Sequence, residues 1–143
     1  AGRSALKGYL GTEKEQDYEE INEIIDAFKK GEEKIYLKRM GRSEDERWYD
    51  AIDFSNISVL VIEWTHGGNK ALNGIDIPIL LNSTPEETRE HRRLRARDGK
   101  TDSAFTTMVL EIEQEELDDR APYAKIIIAK SGEVLDPQSF RKD

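Results

Sequence analysis

Six basic side chains crowd one short stretch of this chain. Arg89, Arg92, Arg93, Arg95, Arg97 and Lys100 face only Glu90 and Asp98, a local excess of four positive charges. Guanidinium groups at this density present forked donors that match phosphate oxygens. The same run also reads as a solvated helix face whose arginines pair with Glu86, Glu87 and the acids at 111–119, and both readings stand at this point. A second candidate is Glu63, a carboxylate closing the apolar run Ser58-Val-Leu-Val-Ile-Glu63. At the C-terminal end of a strand it would sit where open α/β sheets bind ligands, suited to Mg²⁺ or a substrate hydroxyl. The alternative is a structural acid held by a nearby base or backbone N–H. Directly after it comes Trp64-Thr-His-Gly-Gly68. There Gly67 and Gly68 allow close approach of the backbone, and His66 offers a proton acceptor or donor to a substrate, or is only a polar loop residue.

Other chemistries are excluded or disfavoured. The chain has no cysteine, which removes disulfides, thiolate metal sites and cysteine nucleophiles. His66 and His91 are far apart in sequence and lack a carboxylate at ligand spacing, so a histidine metal site is not expected. Neither GxxxxGK[ST] nor GxGxxG occurs anywhere in the 143 residues, so the usual triphosphate cradle cannot be completed from this chain. A formal charge of −8 argues against a general nucleic-acid partner, because phosphate contacts need a basic surface. No apolar run reaches the length of a membrane span and the N-terminus has no signal-peptide core; no membrane partner and a cytoplasmic location are the expectations.

The elements that must hold these residues follow from periodicity. Residues 1–16 are polar and aperiodic and are expected to be a loop or frayed end. From Asp17 to Lys30, Tyr18, Ile21, Ile25 and Phe28 share one helical stripe, with acids in the first turn, lysines in the last and Gly31 beyond as cap. Residues 33–40 and 47–53 suggest short strands around a polar turn. The runs at 58–63, 75–81 and 125–129 have the unbroken apolar character of strands buried on both faces, although Pro78 interrupts the second. Between the last two, Thr84-Pro-Glu-Glu87 spells a capping box with proline at the first helical position. It opens an arginine-rich helix that stops near Gly99, and a further helix is expected over 105–117. Strands alternating with helices predict one α/β domain over 1–143 with a largely parallel sheet.

In this order the features resemble the later two-thirds of P-loop kinases of the uridine kinase/phosphoribulokinase type. The resemblance runs from Asp17 to Leu135. Val59–Glu63 matches the family's strand ending in an acid and a turn, Asp76–Leu81 its next strand, and Arg92, Arg93, Arg95, Arg97 and Asp98 its R-R-x-x-R-D lid with one extra residue. Lys125–Ile128 and Ala129–Gly132 match the last strand and turn. Trp64 stands where many relatives have glycine. The resemblance implies a partial three-layer, parallel-sheet, P-loop kinase-like domain with an Arg-rich lid over 89–102. It also implies ATP and Mg²⁺ as cofactors of a full-length protein, and a small hydroxylated metabolite as phosphoryl acceptor. Arg93, Arg97 and Glu63 become the expected catalytic residues, with Glu63 also an indirect Mg²⁺ ligand. Arg92 and Arg95 become nucleotide or lid contacts, and His66, Gly67 and Gly68 substrate contacts. The phosphate loop and the aspartate base would lie upstream of Ala1, so the chain is expected to be the C-terminal part of such a kinase, inactive alone. With its neighbouring strand absent, residues 58–63 would be an open edge prone to self-association. The reading from another class is a non-catalytic protein-interaction or nucleotide-binding regulatory domain, docking through Arg89–Lys100.

Overall fold

A computed structural model describes residues 2–43, 45–95 and 103–140. The chain is mixed α/β and divides into two compact units, residues 17–75 and residues 1–16 with 76–143.

The first unit is built on helix α2 (Tyr18–Lys29); the short α1 (Arg3–Lys7) precedes it in the chain. The predicted signals all operate in α2. The Asp17 carboxylate accepts from Glu20 N–H at 3.0 Å, and Gly31 takes φ +75° while its N–H donates to the Phe28 carbonyl. A hairpin follows, β1 (Lys34–Met40) pairing antiparallel with β2 (Arg47–Asp53), and Ile35 opposite Ile52. Ile25 and Ile35 are buried, and Phe28 meets Phe54 edge-on with ring centroids 6.0 Å apart. Lys38 Nζ donates to Glu20 Oε2 at 2.7 Å and Tyr49 Oη to Glu20 Oε1 at 3.1 Å, so one helical carboxylate holds both strands. That contact, with Asp17 nearby, holds the Lys38 ammonium above its ordinary pKa.

The expected strand over 58–63 does not form. No ladder partner exists for it among the described residues, and Val59 and Val61 are 73% and 79% exposed. Alternate residues, Leu60 and Ile62, are only partly covered. A β-strand is defined by its neighbour, and an apolar run without one stays an unpaired extended segment whatever its propensity.

In the second unit, β3 (Ile79–Asn82) pairs parallel with β4 (Ile126–Ala129), and β4 pairs antiparallel with β5 (Val134–Leu135). The expected strand at 75–81 is thus shortened to begin at Ile79, just past Pro78, whose missing N–H cannot enter a ladder. The crossover from β3 to β4 contains α3 (Arg89–Arg95) and α4 (Ala104–Arg120). Ser103 caps α4 by accepting from Thr106 N–H at 3.0 Å, and Ile112 is fully buried. Phe105, in the first turn of α4, is 61% exposed. Within residues 1–16 the expected loop contains α1, anchored by Arg3 to Glu111 and Glu115 and by Lys7 to Glu115. Short 3₁₀ turns at Ala121–Tyr123 and Pro137–Phe140 finish the unit. The sheet is therefore mixed, with one parallel pair, rather than largely parallel. No described helix is long and apolar enough to cross a membrane.

Candidate functional site

In the first unit, the segment after Glu63 is folded onto α2 by side chains that the sequence did not single out. Asn22 of α2 donates from Nδ2 to the Ala71 carbonyl at 2.9 Å and accepts from Asn73 N–H at 2.8 Å. Asn69 Nδ2 donates to Tyr18 Oη at 2.8 Å, while its Oδ1 accepts from Ala71 N–H at 2.9 Å. Gly74 takes φ +78° and would place a Cβ only 3.1 Å from Ile25 Cγ2, so this position needs glycine on two counts. These contacts tie the loop to α2. An asparagine offers both a donor and an acceptor, which suits the unpaired backbone of an irregular segment.

The same segment carries the expected substrate residues. His66 is buried at 5% exposure, its ring edge-on to Trp64 at 5.2 Å, and Trp64 in turn lies 5.3 Å from Tyr18. Gly67 N–H donates to the Trp64 carbonyl at 2.9 Å, and a Cβ at Gly67 would approach that same oxygen to 3.0 Å. The turn is thus built on the tight backbone contact that a glycine permits. Gly68 is exposed beside it. Glu63 is exposed, and no hydrogen bond or ion pair of its carboxylate is found among the described residues. Trp64 thus lies against both Tyr18 and His66. His66, Gly67 and Gly68 thus share the turn over 65–68, with His66 buried, while Glu63 lies exposed in the segment that leads into it.

The arginine helix lies in the other unit. The capping box forms, Glu87 N–H donating to Thr84 Oγ1 at 3.2 Å and Thr84 N–H to Glu87 Oε2 at 2.8 Å, but it closes a turn over 85–88 and the helix itself begins only at Arg89. The arginines then divide. Arg92 turns back, its Nη1 donating to the Pro85 carbonyl at 2.7 Å and to Thr88 Oγ1, so it braces the start of its own helix. Arg89 pairs with Glu86 at 3.2 Å, which realises the solvated-face reading at that position. Arg93 instead lines an open cavity of about 580 Å³ together with Glu86, Glu87, Arg89, Glu90, His91, Leu94 and Lys130. Lys130 Nζ donates to the Glu87 carbonyl and so ties the turn after β4 to the start of the arginine segment. Arg95 is exposed. Arg97 and the rest of the 89–102 lid beyond Arg95 lie outside the described residues. Lys130 escaped the sequence reading because nothing in a lone lysine after a strand marks it; only the parallel pairing of β3 with β4 carries it to Glu87.

Among the described residues no group of three or more His, Asp or Glu side chains could enclose a metal ion. A single exposed carboxylate such as Glu63 still fits Mg²⁺, which keeps several waters and takes one or two carboxylates alongside substrate phosphates.

With this geometry in hand, the chain proves similar to a bifunctional alpha-galactosidase/sucrose kinase, AgaSK, of Mediterraneibacter gnavus. The two are 47% identical over 136 residues, 95% of this chain but only 14% of that protein. No protein-family model matches the chain. No solved structure matches it either.

Proposed function

We propose that this chain is the acceptor-facing and lid part of an ATP-dependent kinase that phosphorylates a hydroxyl of a small metabolite, with a sugar of the sucrose class as the acceptor. The observation that carries this reading is the 47% identity, across 95% of the chain, to a protein named for sucrose kinase. That relative is also named for an alpha-galactosidase, but glycoside hydrolysis rests on a pair of carboxylates flanking the scissile bond. The concentrated feature here is a row of arginines, whose chemistry suits phosphoryl oxygens.

In the transfer, an acceptor oxygen bonds to the γ-phosphorus of ATP as the bond to the β–γ bridging oxygen breaks. ADP leaves with that electron pair, and the hydroxyl proton passes to a base. The phosphate loop and that base belong, in this reading, to polypeptide outside this chain, as the uridine kinase/phosphoribulokinase resemblance implies. Arg93, with Arg95 and Arg97, neutralises charge on the transferring group. Arg92 acts on the nucleotide only through the α3 start that it braces. Glu63 would hold Mg²⁺, which supplies further charge neutralisation when bound. His66, Gly67 and Gly68 shape the acceptor side, the buried imidazole fixed by Trp64.

Kinetics on a longer polypeptide that includes this sequence would test the assignment. Arg93→Ala is expected to lower kcat by at least about tenfold with a small effect on acceptor KM, since its charge acts in the transition state. Glu63→Gln is expected to be at least as damaging. The 143-residue chain itself is expected to turn over no ATP. Wild-type rates for both variants, or turnover by the isolated chain at an ordinary kinase rate of about 1–100 s⁻¹, would overturn the proposal.

A further inference from the structure

Of the five asparagines in the chain, Asn73 is followed by glycine. That dipeptide carries a chemistry of its own. A glycine has no Cβ to shield its backbone nitrogen, so this nitrogen can reach the side-chain carbonyl carbon of the asparagine before it and close a five-membered ring. A larger neighbour crowds that approach, and a hydrogen bond to either partner holds the two apart.

The fold leaves both partners accessible at this position. Asn73 and Gly74 lie at the surface. Asn22 Oδ1 takes the Asn73 backbone N–H at 2.8 Å, but among the described residues no hydrogen bond engages the Asn73 side chain or the Gly74 N–H. The other asparagines are placed differently. Asn22 lies within α2 and uses both side-chain atoms, toward Ala71 and Asn73. Asn69 also uses both, toward Tyr18 and Ala71. Asn56 precedes the β-branched Ile57, and Asn82 is held in β3 opposite Ala129.

We propose that Asn73 is a site of spontaneous deamidation, and that the isoaspartate it yields weakens the hold of α2 on this loop. The Gly74 nitrogen bonds to Asn73 Cγ as the Cγ–Nδ2 bond breaks, and the proton from that nitrogen departs with the amide group as ammonia. Water then opens the succinimide. Addition at Cγ restores the main chain with aspartate at position 73. Addition at the main-chain carbonyl carbon of residue 73 leaves isoaspartate, whose chain runs on through Cγ. The only co-reactant is water. Isoaspartate adds one carbon to the main chain between the N–H held by Asn22 and Gly74, and hangs a new carboxylate there. Gly74 has little room to absorb the shift, since an atom at its Cβ position would stand only 3.1 Å from Ile25 Cγ2. The inference is independent of the kinase reading, because the reaction needs nothing beyond the loop itself.

Ageing the 143-residue chain at neutral pH, followed by peptide mapping with mass spectrometry, tests the site. The peptide holding Asn73 is expected to convert to two acid products, aspartate and isoaspartate. Its amide should be lost at least about tenfold faster than those of Asn22 and Asn69, whose paired hydrogen bonds must first be released. Amide loss at Asn73 no faster than at those two would overturn the proposal. So would an Asn73 amide retained in the folded chain while the urea-unfolded chain loses it, since the fold would then shield the site. Hydrogen exchange reads the consequence separately. The isoaspartate form, isolated chromatographically, is expected to exchange the amides of residues 71–73 faster than fresh protein, with those of β3 and β4 unchanged. Unaltered exchange at 71–73 would refute the weakened hold.

Discussion

Asn22 offers the sharpest test of how the candidate acceptor turn is held. Replacing it with alanine removes two hydrogen bonds at once, the donation to the Ala71 carbonyl at 2.9 Å and the acceptance from Asn73 N–H at 2.8 Å. Each is an ordinary neutral bond with a net contribution of about 0.5–1.5 kcal/mol, so the pair should contribute about 1–3 kcal/mol. The lower half of that range is favoured. Asn73 is exposed, and water can replace its lost acceptor, whereas the bond to Ala71 is part-buried. Hydrogen exchange under native conditions reports the effect locally. The amides of residues 71–73 should exchange roughly 5- to 30-fold faster in Asn22→Ala, while those of β3 and β4 in the other unit stay unchanged. Asn22→Asp separates the two bonds, because it keeps an acceptor for Asn73 N–H but sets a carboxylate against the Ala71 carbonyl. It should spare the Asn73 amide and free the loop near Ala71. Unchanged exchange at 71–73 in Asn22→Ala would refute the idea that this side chain fixes the segment carrying Glu63 and His66.

Two further outcomes follow from the packing. Glu113 is half-buried, and burial, with Glu116 and Glu15 nearby, pushes its carboxyl above the usual range. A raised pKa means the folded state binds the proton more tightly, so stability from this group is present below the unfolded pKa and lost as pH rises through the folded value. Glu113→Gln should therefore raise the urea midpoint at neutral pH, with the gain shrinking as pH falls from the raised folded pKa to the ordinary carboxylate value and absent below it; an equal gain at all pH values would contradict it. For residues 58–63, the open-edge reading expects the isolated chain to self-associate at low micromolar concentration and Val61→Lys to return it to monomer in sedimentation. A stable monomer with strongly protected amides at 58–63 would remove that reading.

Local chemistry was legible wherever a signal and its effect lie within one turn of the chain. Asp17 and Gly31 bound α2, and Thr84 with Glu87 closes its capping box, because caps are contacts across about four residues. The apolar character of β3 and β4 could be read for the same reason. Pairing was a different matter. The run at 58–63 has as strong a strand composition as 126–129, yet only the second finds a partner, and partners lie far away in sequence. The arginines likewise look equivalent as a string, and tertiary contacts divide them: Arg92 braces its helix, Arg89 answers Glu86, and Arg93 faces a cavity shared with Lys130. Asn22, Asn69 and Lys130 carry no mark in the sequence at all, since a polar side chain becomes structural only when folding removes water from the backbone groups it meets. Composition and periodicity determined which residues are apolar, capped or charged; which of those groups meet was decided by the fold, because that depends on contacts between segments the chain holds dozens of residues apart.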